Sequence, residues 1–452
     1  MQMLLKKIFY LLSIIGISAT ILISFLQQAT KWENGGDIKS SYGNRGTITT
    51  VESIQSNLRK YYFYPFEQLL QNETNCIRLK IIKYLCKESA FCGGFGDRLK
   101  GVVTAFYLAV GFHLPFKIVW TGATNLDDYF EINSAFYHFH ENETCPSYVR
   151  EGWNKTEIPK EERWPGEDEL LFSRWAENLQ DGSLIPPLTT NRFGGLHGLL
   201  KNPHIKQNLE QITTKVNISN AILISAALKS LLSKPVPRLR NLYQQCVFDQ
   251  INGDLYTWKE SFKIGIQIRI GMRNNKGTLD YPRVPLSCVS KFIEIATLEA
   301  KQQPKSIIFV TTDSKDIEEE VVRNLTMKTG SATILSSSTR CPDLIYNHLD
   351  FINEPIGWLE SAKTFIDWLA LVEMDKLYIS QSNFGKMSSR FSLVPTHMLV
   401  SNPKIVEEFG CFFSEYSLEN RSNLLRPSDD EMYRRMKQEI LMKNKSAPLF
   451  EV

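Results

Sequence analysis

Apolar residues follow three rhythms along this chain. From Ile8 to Leu26 they run almost without interruption, a length that at about 1.5 Å per helical residue crosses the hydrocarbon core of a bilayer. Between Ile264 and Ile270, isoleucines take every second position while Gly265, Gln267 and Arg269 fall between them, which predicts a strand with one strongly apolar face. Short apolar-rich runs at Phe116–Trp120, Ile307–Thr311 and Leu377–Ile379 read as further buried strands. Longer apolar segments at Leu99–Val110, Ile205–Thr214, Ala221–Leu232, Val289–Ala300 and Ser361–Glu373, with another opening at Asp316–Glu320, read as helices. Strand, turn and helix alternate, so the chain predicts an α/β fold built on parallel sheet. Ahead of the glycine-rich turn at Gly93–Gly96, only residues around Ala90 and Phe91 offer a strand. Pro235 and Pro237 interrupt the pattern and mark a linker between Ser233 and Asp254.

The ends and the length divide the chain further. Lys6 and Lys7 precede the apolar segment, so the short N-terminal side stays cytosolic and the remainder crosses the membrane, giving a single-pass type II anchor. The segment is longer than a signal-peptide core and no small-x-small cleavage site follows it. The expected organisation is a cytosolic tail over 1–7, an anchor over 8–26, a stem over 27–60, domains over 61–240 and 241–425, and a C-terminal helix and tail over 426–452. Asn-x-Ser/Thr acceptors at Asn72, Asn142, Asn154, Asn217, Asn324, Asn420 and Asn444 all lie beyond the anchor. The 8 cysteines are scattered with no CxxC pair, which suits disulfides in an oxidising lumen, at least two of them, as well as buried thiols. A net charge of +3 is close to balance and argues against a nucleic-acid partner.

Candidate chemistry gathers in four turns. Cys92–Gly101 packs Gly94, Phe95, Gly96, Asp97 and Arg98 against the start of a helix, where main-chain N–H groups can cradle a phosphate. Arg269 near the end of its strand needs a partner, either a phosphate or an internal carboxylate; Gln267 and Gly271 flank it. Asp313 and Ser314 follow the strand Ile307–Thr311 at the edge where open α/β sheets take ligands, and serve equally as helix caps. Ser380, Ser382, Asn383 and Phe384 follow the strand Leu377–Ile379, with hydroxyl and amide groups ahead of a helix start. His138 and His140 form an isolated His-x-His, and no metal site is expected. No GxxxxGK[ST] loop is present, which disfavours a kinase or sulfotransferase.

Taken in order, these segments resemble the fucosyltransferase superfamily of the protein O-fucosyltransferase and α1,2/α1,6 type. Cys92–Arg98 is similar to its glycine-rich loop, Ile264–Gly271 to its His-x-Arg-x-Gly strand, and Phe309–Ser314 to its Val-Ala-Thr-Asp-Ser turn. Asp367 through Asp375 to Ser382 and Phe384 is similar to its closing helix, strand and Ser-Ser-Phe turn. The resemblance implies a GT-B architecture, two Rossmann-like domains facing across a cleft, and inverting, metal-independent transfer of fucose from GDP-fucose to a glycan or protein hydroxyl in the Golgi or ER. It makes Arg269 the clasp on the diphosphate, Asp313 and Ser314 the nucleoside contacts, and Ser380, Ser382, Asn383 and Phe384 the phosphate pocket. Asp97 and Arg98 would reach in from the first domain, with Asp97 a general base or a salt-bridge and capping residue. Gln267 stands where the family often has histidine, and Asp97 where it often has asparagine. A different nucleotide sugar, or a membrane-tethered glycan-binding pseudoenzyme, are the rival readings.

Overall fold

The structure is a computed structural model of the chain and describes residues 45–65, 82–86, 93–111, 113–114, 116–120, 124–132, 203–213, 219–251, 254–271, 284–303, 305–346, 357–400, 406–407 and 410–416. The expected anchor at 8–26, the region holding His138 and His140, and the C-terminal segment 426–452 lie outside these residues. Among the described residues no helix is long and apolar enough to cross a membrane. The chain divides into an N-terminal unit, Met1–Ser41, and a body, Tyr42–Val452, to which every described residue belongs.

The body opens with helix α1, Arg45–Leu58, which buries Val51, Ile54 and Leu58. Those residues are spaced i, i+3, i+7 and form one helical stripe. The stem expected over 27–60 is therefore corrected: from Arg45 the chain is part of the packed body, and Asn57 Nδ2 donates to Ile212 O at 2.7 Å. Strand β1, Ile82–Cys86, leads to helix α2, Phe95–Gly111, and strand β2, Phe116–Trp120. β1 and β2 pair in parallel, Ile82 opposite Phe116 and Cys86 opposite Trp120, so the strand–glycine turn–helix–strand unit is present. Its first strand lies earlier than the expected Ala90–Phe91. β3, Phe130–Ile132, pairs antiparallel with β4, Leu232–Pro235; α3, Pro203–Thr213, and α4, Asn220–Leu231, come between them in sequence.

The linker expected over 233–254 is also corrected. It contains β4, helix α5, Pro237–Cys246, and a 3-10 turn at Phe248–Ile251, and α5 buries Leu239, Tyr243 and Cys246. Pro237 stands at the start of α5, where a missing N–H costs no hydrogen bond. A short helix α6, Leu255–Glu260, capped by Asp254 through Tyr256 N, leads into the second half.

The second half is a six-stranded sheet in the order β10-β9-β8-β5-β6-β7. In chain order it runs β5 (Phe262–Ile268), α7 (Val289–Gln302), β6 (Ser306–Thr312), α8 (Lys315–Thr329), β7 (Thr333–Leu335), α9 (Ser337–Arg340), α10 (Trp358–Val372), β8 (Lys376–Ile379), α11 (Asn383–Ser392), β9 (Thr396–Val400) and β10 (Phe412–Glu415). All pairings are parallel except β9 with β10. The chain moves outward from β5 through β6 to β7, then returns to β8 on the other side of β5. Strand order reverses between β5 and β8, and such a reversal opens a crevice at the C-terminal strand ends.

Alternation along β5 explains its composition. Ile264, Ile266 and Ile268 enter a cluster with Phe292, Ile293, Val321 and Leu325 of α7 and α8. Gly265 and Gln267 face the other way; a Cβ on Gly265 would lie 2.5 Å from Leu377 Cδ2 and 2.8 Å from Met374 Cγ. On that face a second cluster runs without a break from α10 and α11 into α1, α2 and α4, so the helices of the two halves share one core. Tyr129 stacks on Phe365 at 3.7 Å and donates its hydroxyl to Trp358 O at 2.9 Å, tying the β3 region to α10. Disulfides Cys246–Cys341 and Cys288–Cys411 staple α5 to the end of α9, and the start of α7 to the approach to β10.

Candidate functional site

The reversal of strand order brings together most of the residues singled out in the sequence. Past Ile268 the chain leaves the sheet, and three successive main-chain N–H groups meet side-chain acceptors. Arg269 N donates to Ser380 Oγ at 3.0 Å, Ile270 N to Asp313 Oδ1 at 2.8 Å, and Gly271 N to Asp313 Oδ2 at 3.0 Å. Arg269 Nε lies 3.4 Å from Asp313 Oδ2, with 12% of the arginine side chain exposed. Gly271 sits at φ 89°, in the region that favours glycine, as the chain turns towards Asp313.

Next to this turn lies the one after β8. Ser380 N donates to Gln267 O at 2.9 Å, extending the β5–β8 ladder, and Ser380 Oγ donates to Gln267 Oε1 at 3.0 Å. Gln267 Oε1 in turn presses on Gly385, where a Cβ would approach it to 2.8 Å. Ser382 caps α11 by accepting from Phe384 N at 3.2 Å.

The glycine turn of the first half docks on the same place. A Cβ on Gly96 would fall 2.3 Å from Asn383 C and 2.4 Å from both Asn383 O and Phe384 N, so the N-terminal turns of α2 and α11 are in main-chain contact. Asn383 Nδ2 donates to Asp97 Oδ1, bridging residues 286 apart in sequence. Two helix N-termini, each a positive dipole end, thus lie side by side. Arg98 is buried, donates Nε to Gly93 O at 2.9 Å and lies over the Trp120 ring at 5.1 Å. Lys100, one turn further on, is pushed below its ordinary pKa by burial and by Arg390, with Asp97 acting in the opposite direction.

Several of the expected ligand contacts have partners within the protein. Phe95 is a core residue, ringed by Trp120, Phe365, Trp368 and Phe384 at centroid distances of 5.9, 5.0, 5.5 and 6.2 Å. Gly96 is glycine because another main chain abuts it, and Gly94 lends its carbonyl to Arg98 N at 3.0 Å. Both Asp313 oxygens accept from main-chain donors of the turn after β5. Ser380 is fully buried, and Gln267 nearly so, each holding the other. Ser314 stands before α8, its carbonyl accepting from Glu318 N at 3.0 Å, with no cap from its side chain.

Asp367, which the resemblance implies to be a substrate-binding residue, meets protein groups on all sides. It is buried within a polar network, accepting from Thr311 Oγ1 at 2.6 Å, from Lys363 Nζ at 2.6 Å and from Ser337 Oγ. Lys363 also pairs with Glu318 Oε2 at 3.1 Å, Ser338 Oγ donates to Glu318 Oε1, and Tyr346 OH donates to Ser338 Oγ at 2.8 Å. Burial works against charge on Lys363, but Asp367 and Glu318 outweigh it and hold its pKa above the ordinary value. The network locks β6, α8, α9 and α10 together beneath the sheet edge. Its readable signal is a lysine four residues before an aspartate on an otherwise apolar helix. A second cluster sits at the opposite edge: Lys263 Nζ pairs with Asp375 Oδ2 at 3.0 Å, and Trp258 Nε1 donates to Glu373 Oε2 at 3.1 Å. Burial is the main cause that lifts the Glu373 carboxyl to about 7, against the opposing effects of Tyr243, Lys263 and Trp258. Among the described residues no group of three or more His, Cys, Asp or Glu side chains is arranged to hold a metal.

No protein-family model matches the chain, and no curated protein matches it in sequence. Its fold is shared with Arabidopsis thaliana FUT1, whose arginine-to-lysine mutant in complex with GDP aligns with a TM-score of 0.54 at 12% identity, covering 84% of each chain. Looser alignments join NodZ α-1,6-fucosyltransferase co-crystallised with GDP (TM-score 0.38, 13% identity, 75% of this chain and 98% of that one). POFUT1 in complex with GDP aligns at a TM-score of 0.36 and 10% identity, over 71% of this chain and 98% of that one.

Proposed function

We propose that the body is an inverting fucosyltransferase, moving fucose from GDP-fucose to a hydroxyl of a glycan or protein acceptor. The observation that carries this reading is the convergence at the β5–β8 reversal: Arg269 at the end of β5, the capped start of α11 after β8, and the glycine turn of α2 packed against that start. Ligands of open α/β sheets bind at such reversals, and cationic and N–H donors gathered there suit a diphosphate. The fold shared with FUT1, whose structure contains GDP, supports the nucleotide class.

In this reading Arg269 takes up the charge that develops on the departing diphosphate, without a metal ion. Its guanidinium is held in place by Asp313 beforehand, so little reorganisation accompanies bond breaking. Asp97, at the junction of the two halves and oriented by Asn383, accepts the proton of the attacking hydroxyl. The apolar segment at 8–26 with its preceding lysines, the acceptor asparagines beyond it and the disulfides Cys246–Cys341 and Cys288–Cys411 support a type II protein of the Golgi or ER with a lumenal body.

The test uses the purified full chain. GDP, and not UDP or ADP, raises its melting temperature, and it transfers fucose from GDP-fucose to a member of an acceptor panel. Arg269→Ala still unfolds in one cooperative transition but loses on the order of 100-fold or more in rate. Stabilisation by UDP alone would assign a different donor, absence of both hydrolysis and transfer would leave a binding protein, and near-normal turnover by Arg269→Ala would remove the arginine from the mechanism.

A further inference from the structure

We infer that Asp313 and Ser380 act as positioning residues for Arg269, a two-sided brace on the turn after β5, and not as contacts to the nucleotide. The inference deepens the donor reading above and rests on it.

The argument begins with main-chain donors. Where a strand ends at a ligand crevice, successive N–H groups are available to a phosphate. Here the N–H groups of Arg269, Ile270 and Gly271 are bonded to Ser380 Oγ, Asp313 Oδ1 and Asp313 Oδ2, at 3.0, 2.8 and 3.0 Å. The acceptors approach from opposite sides, Ser380 from β8 and Asp313 from β6, the two strands flanking β5. Ser380 is fixed in turn: its hydroxyl hydrogen points to Gln267 Oε1 at 3.0 Å, which leaves a lone pair for Arg269 N. It has no exposed surface with which to meet a ligand. Asp313 adds the side-chain pairing with Arg269 Nε at 3.4 Å. With two amides, one guanidinium nitrogen and the Thr312 hydroxyl at 3.5 Å, the carboxylate has two donors on each oxygen, so a ribose hydroxyl would have to displace one of them. The positive φ of Gly271 completes the turn that brings two consecutive amides onto one carboxylate.

The discriminating variant is Asp313→Asn. The amide oxygen can still accept from Ile270 N, but the amide nitrogen then faces two other donors, Gly271 N and Arg269 Nε. In the full chain without ligand, amide hydrogen exchange should rise at Gly271 and its neighbours while β6 keeps its protection; unchanged exchange there would overturn the brace. Binding is then compared for GDP and for guanosine, which lacks phosphate. GDP affinity should fall by about 10- to 100-fold, as expected when a hydrogen bond to a charged phosphate is lost, and guanosine affinity should be unchanged. A parallel fall for guanosine would make Asp313 a nucleoside contact and overturn the inference. Arg269→Ala combined with Asp313→Asn should bind GDP no more weakly than Arg269→Ala alone, because both changes remove one interaction; additive losses would also overturn it. Ser380→Ala, which removes the acceptor without altering charge, should reproduce the pattern more weakly and regain affinity in Ser380→Thr. A wild-type chain that binds no GDP would sink the donor reading itself, and with it any role for the brace in phosphate binding, whatever the exchange rates show.

Discussion

Replacing Gly96 with alanine tests the junction on which the site is built. The added methyl would sit 2.3 Å from Asn383 C, 2.4 Å from Asn383 O and 2.4 Å from Phe384 N, where ordinary contact begins near 3.4 Å. These are main-chain atoms at the start of α11, so no side-chain rotation relieves the clash and the two helix starts must separate by about an ångström. Overpacking of this kind costs about 1–3 kcal/mol. Separation also weakens the Asn383–Asp97 hydrogen bond, a net contribution of about 1 kcal/mol, and loosens Phe95 against Phe384. The opposing gain from alanine in a helix is at most about 1 kcal/mol and smaller in a first turn. A net loss of about 2–3 kcal/mol follows, read as a lower urea midpoint with the slope unchanged. Gly111→Ala is the internal control: its methyl meets Ile205 Cγ2 at 2.6 Å, a side-chain atom that can move, and the loss should be smaller. If Gly96→Ala unfolds at or above the wild-type midpoint, or costs less than Gly111→Ala, the helix starts are not in contact and the convergence argument fails with them.

Three other outcomes follow from groups already described. Lys363→Met strips the cation from buried Glu318 and Asp367 and should cost about 3–5 kcal/mol, recovered in part by Asp367→Asn in the same chain; a loss below about 1 kcal/mol in urea titration would show that the network is not closed. Glu373 has its folded pKa raised from the ordinary 4.5 to about 7, so the protonated form favours the fold: the stability it contributes is complete below about pH 4.5 and is lost as pH rises through about 7, by up to about 3 kcal/mol. Thermal unfolding from pH 5 to 8 should show that decline, and Glu373→Gln should flatten it; an equal slope in the variant assigns the titration elsewhere. Asp97→Asn should keep nucleotide affinity and lower turnover with loss of the acidic limb of its pH profile, whereas an unchanged profile would exclude the carboxylate as base.

Periodicity exposed the second half well and the first half less so. Alternating isoleucines marked β5, the unbroken run at Ile307–Thr311 marked β6, and small polar residues after each strand marked the sheet edge, because all of these depend on neighbours close in sequence. The stripe of Val51, Ile54 and Leu58 was equally local, but the glycines and polar residues before it suggested a stem. Pro235 and Pro237 suggested a break because proline disrupts helix interiors, although Pro237 begins α5. Most of the site residues lie together at one sheet edge, and several have protein partners that a local reading does not name. Asp367 meets Thr311 across 56 residues and Asn383 meets Asp97 across 286, separations that no local pattern encodes. A polar residue at a sheet edge looks the same in sequence whether it awaits a ligand or satisfies a buried donor.

That ambiguity bears on how the molecule would handle a charged donor. Five of the expected contacts, Phe95, Gly96, Asp313, Asp367 and Ser380, support other protein groups, and each removes a freedom from the crevice walls. Phe95 and Gly96 fix α2 on α11, Asp313 and Ser380 fix the turn that carries Arg269, and Asp367 fixes β6 to α10. The helices of both halves share one core on this side of the sheet, so among the described residues the strand ends that carry Arg269 cannot slide past α2 without exposing buried aromatic surface. A site of this kind orders its cation during folding rather than during binding, and leaving-group stabilisation gains most from donors that need not move when charge appears. The same rigidity implies that variants distant from Arg269 but within this support, Gly96→Ala among them, should lower turnover by disturbing the arginine while guanosine affinity stays unchanged.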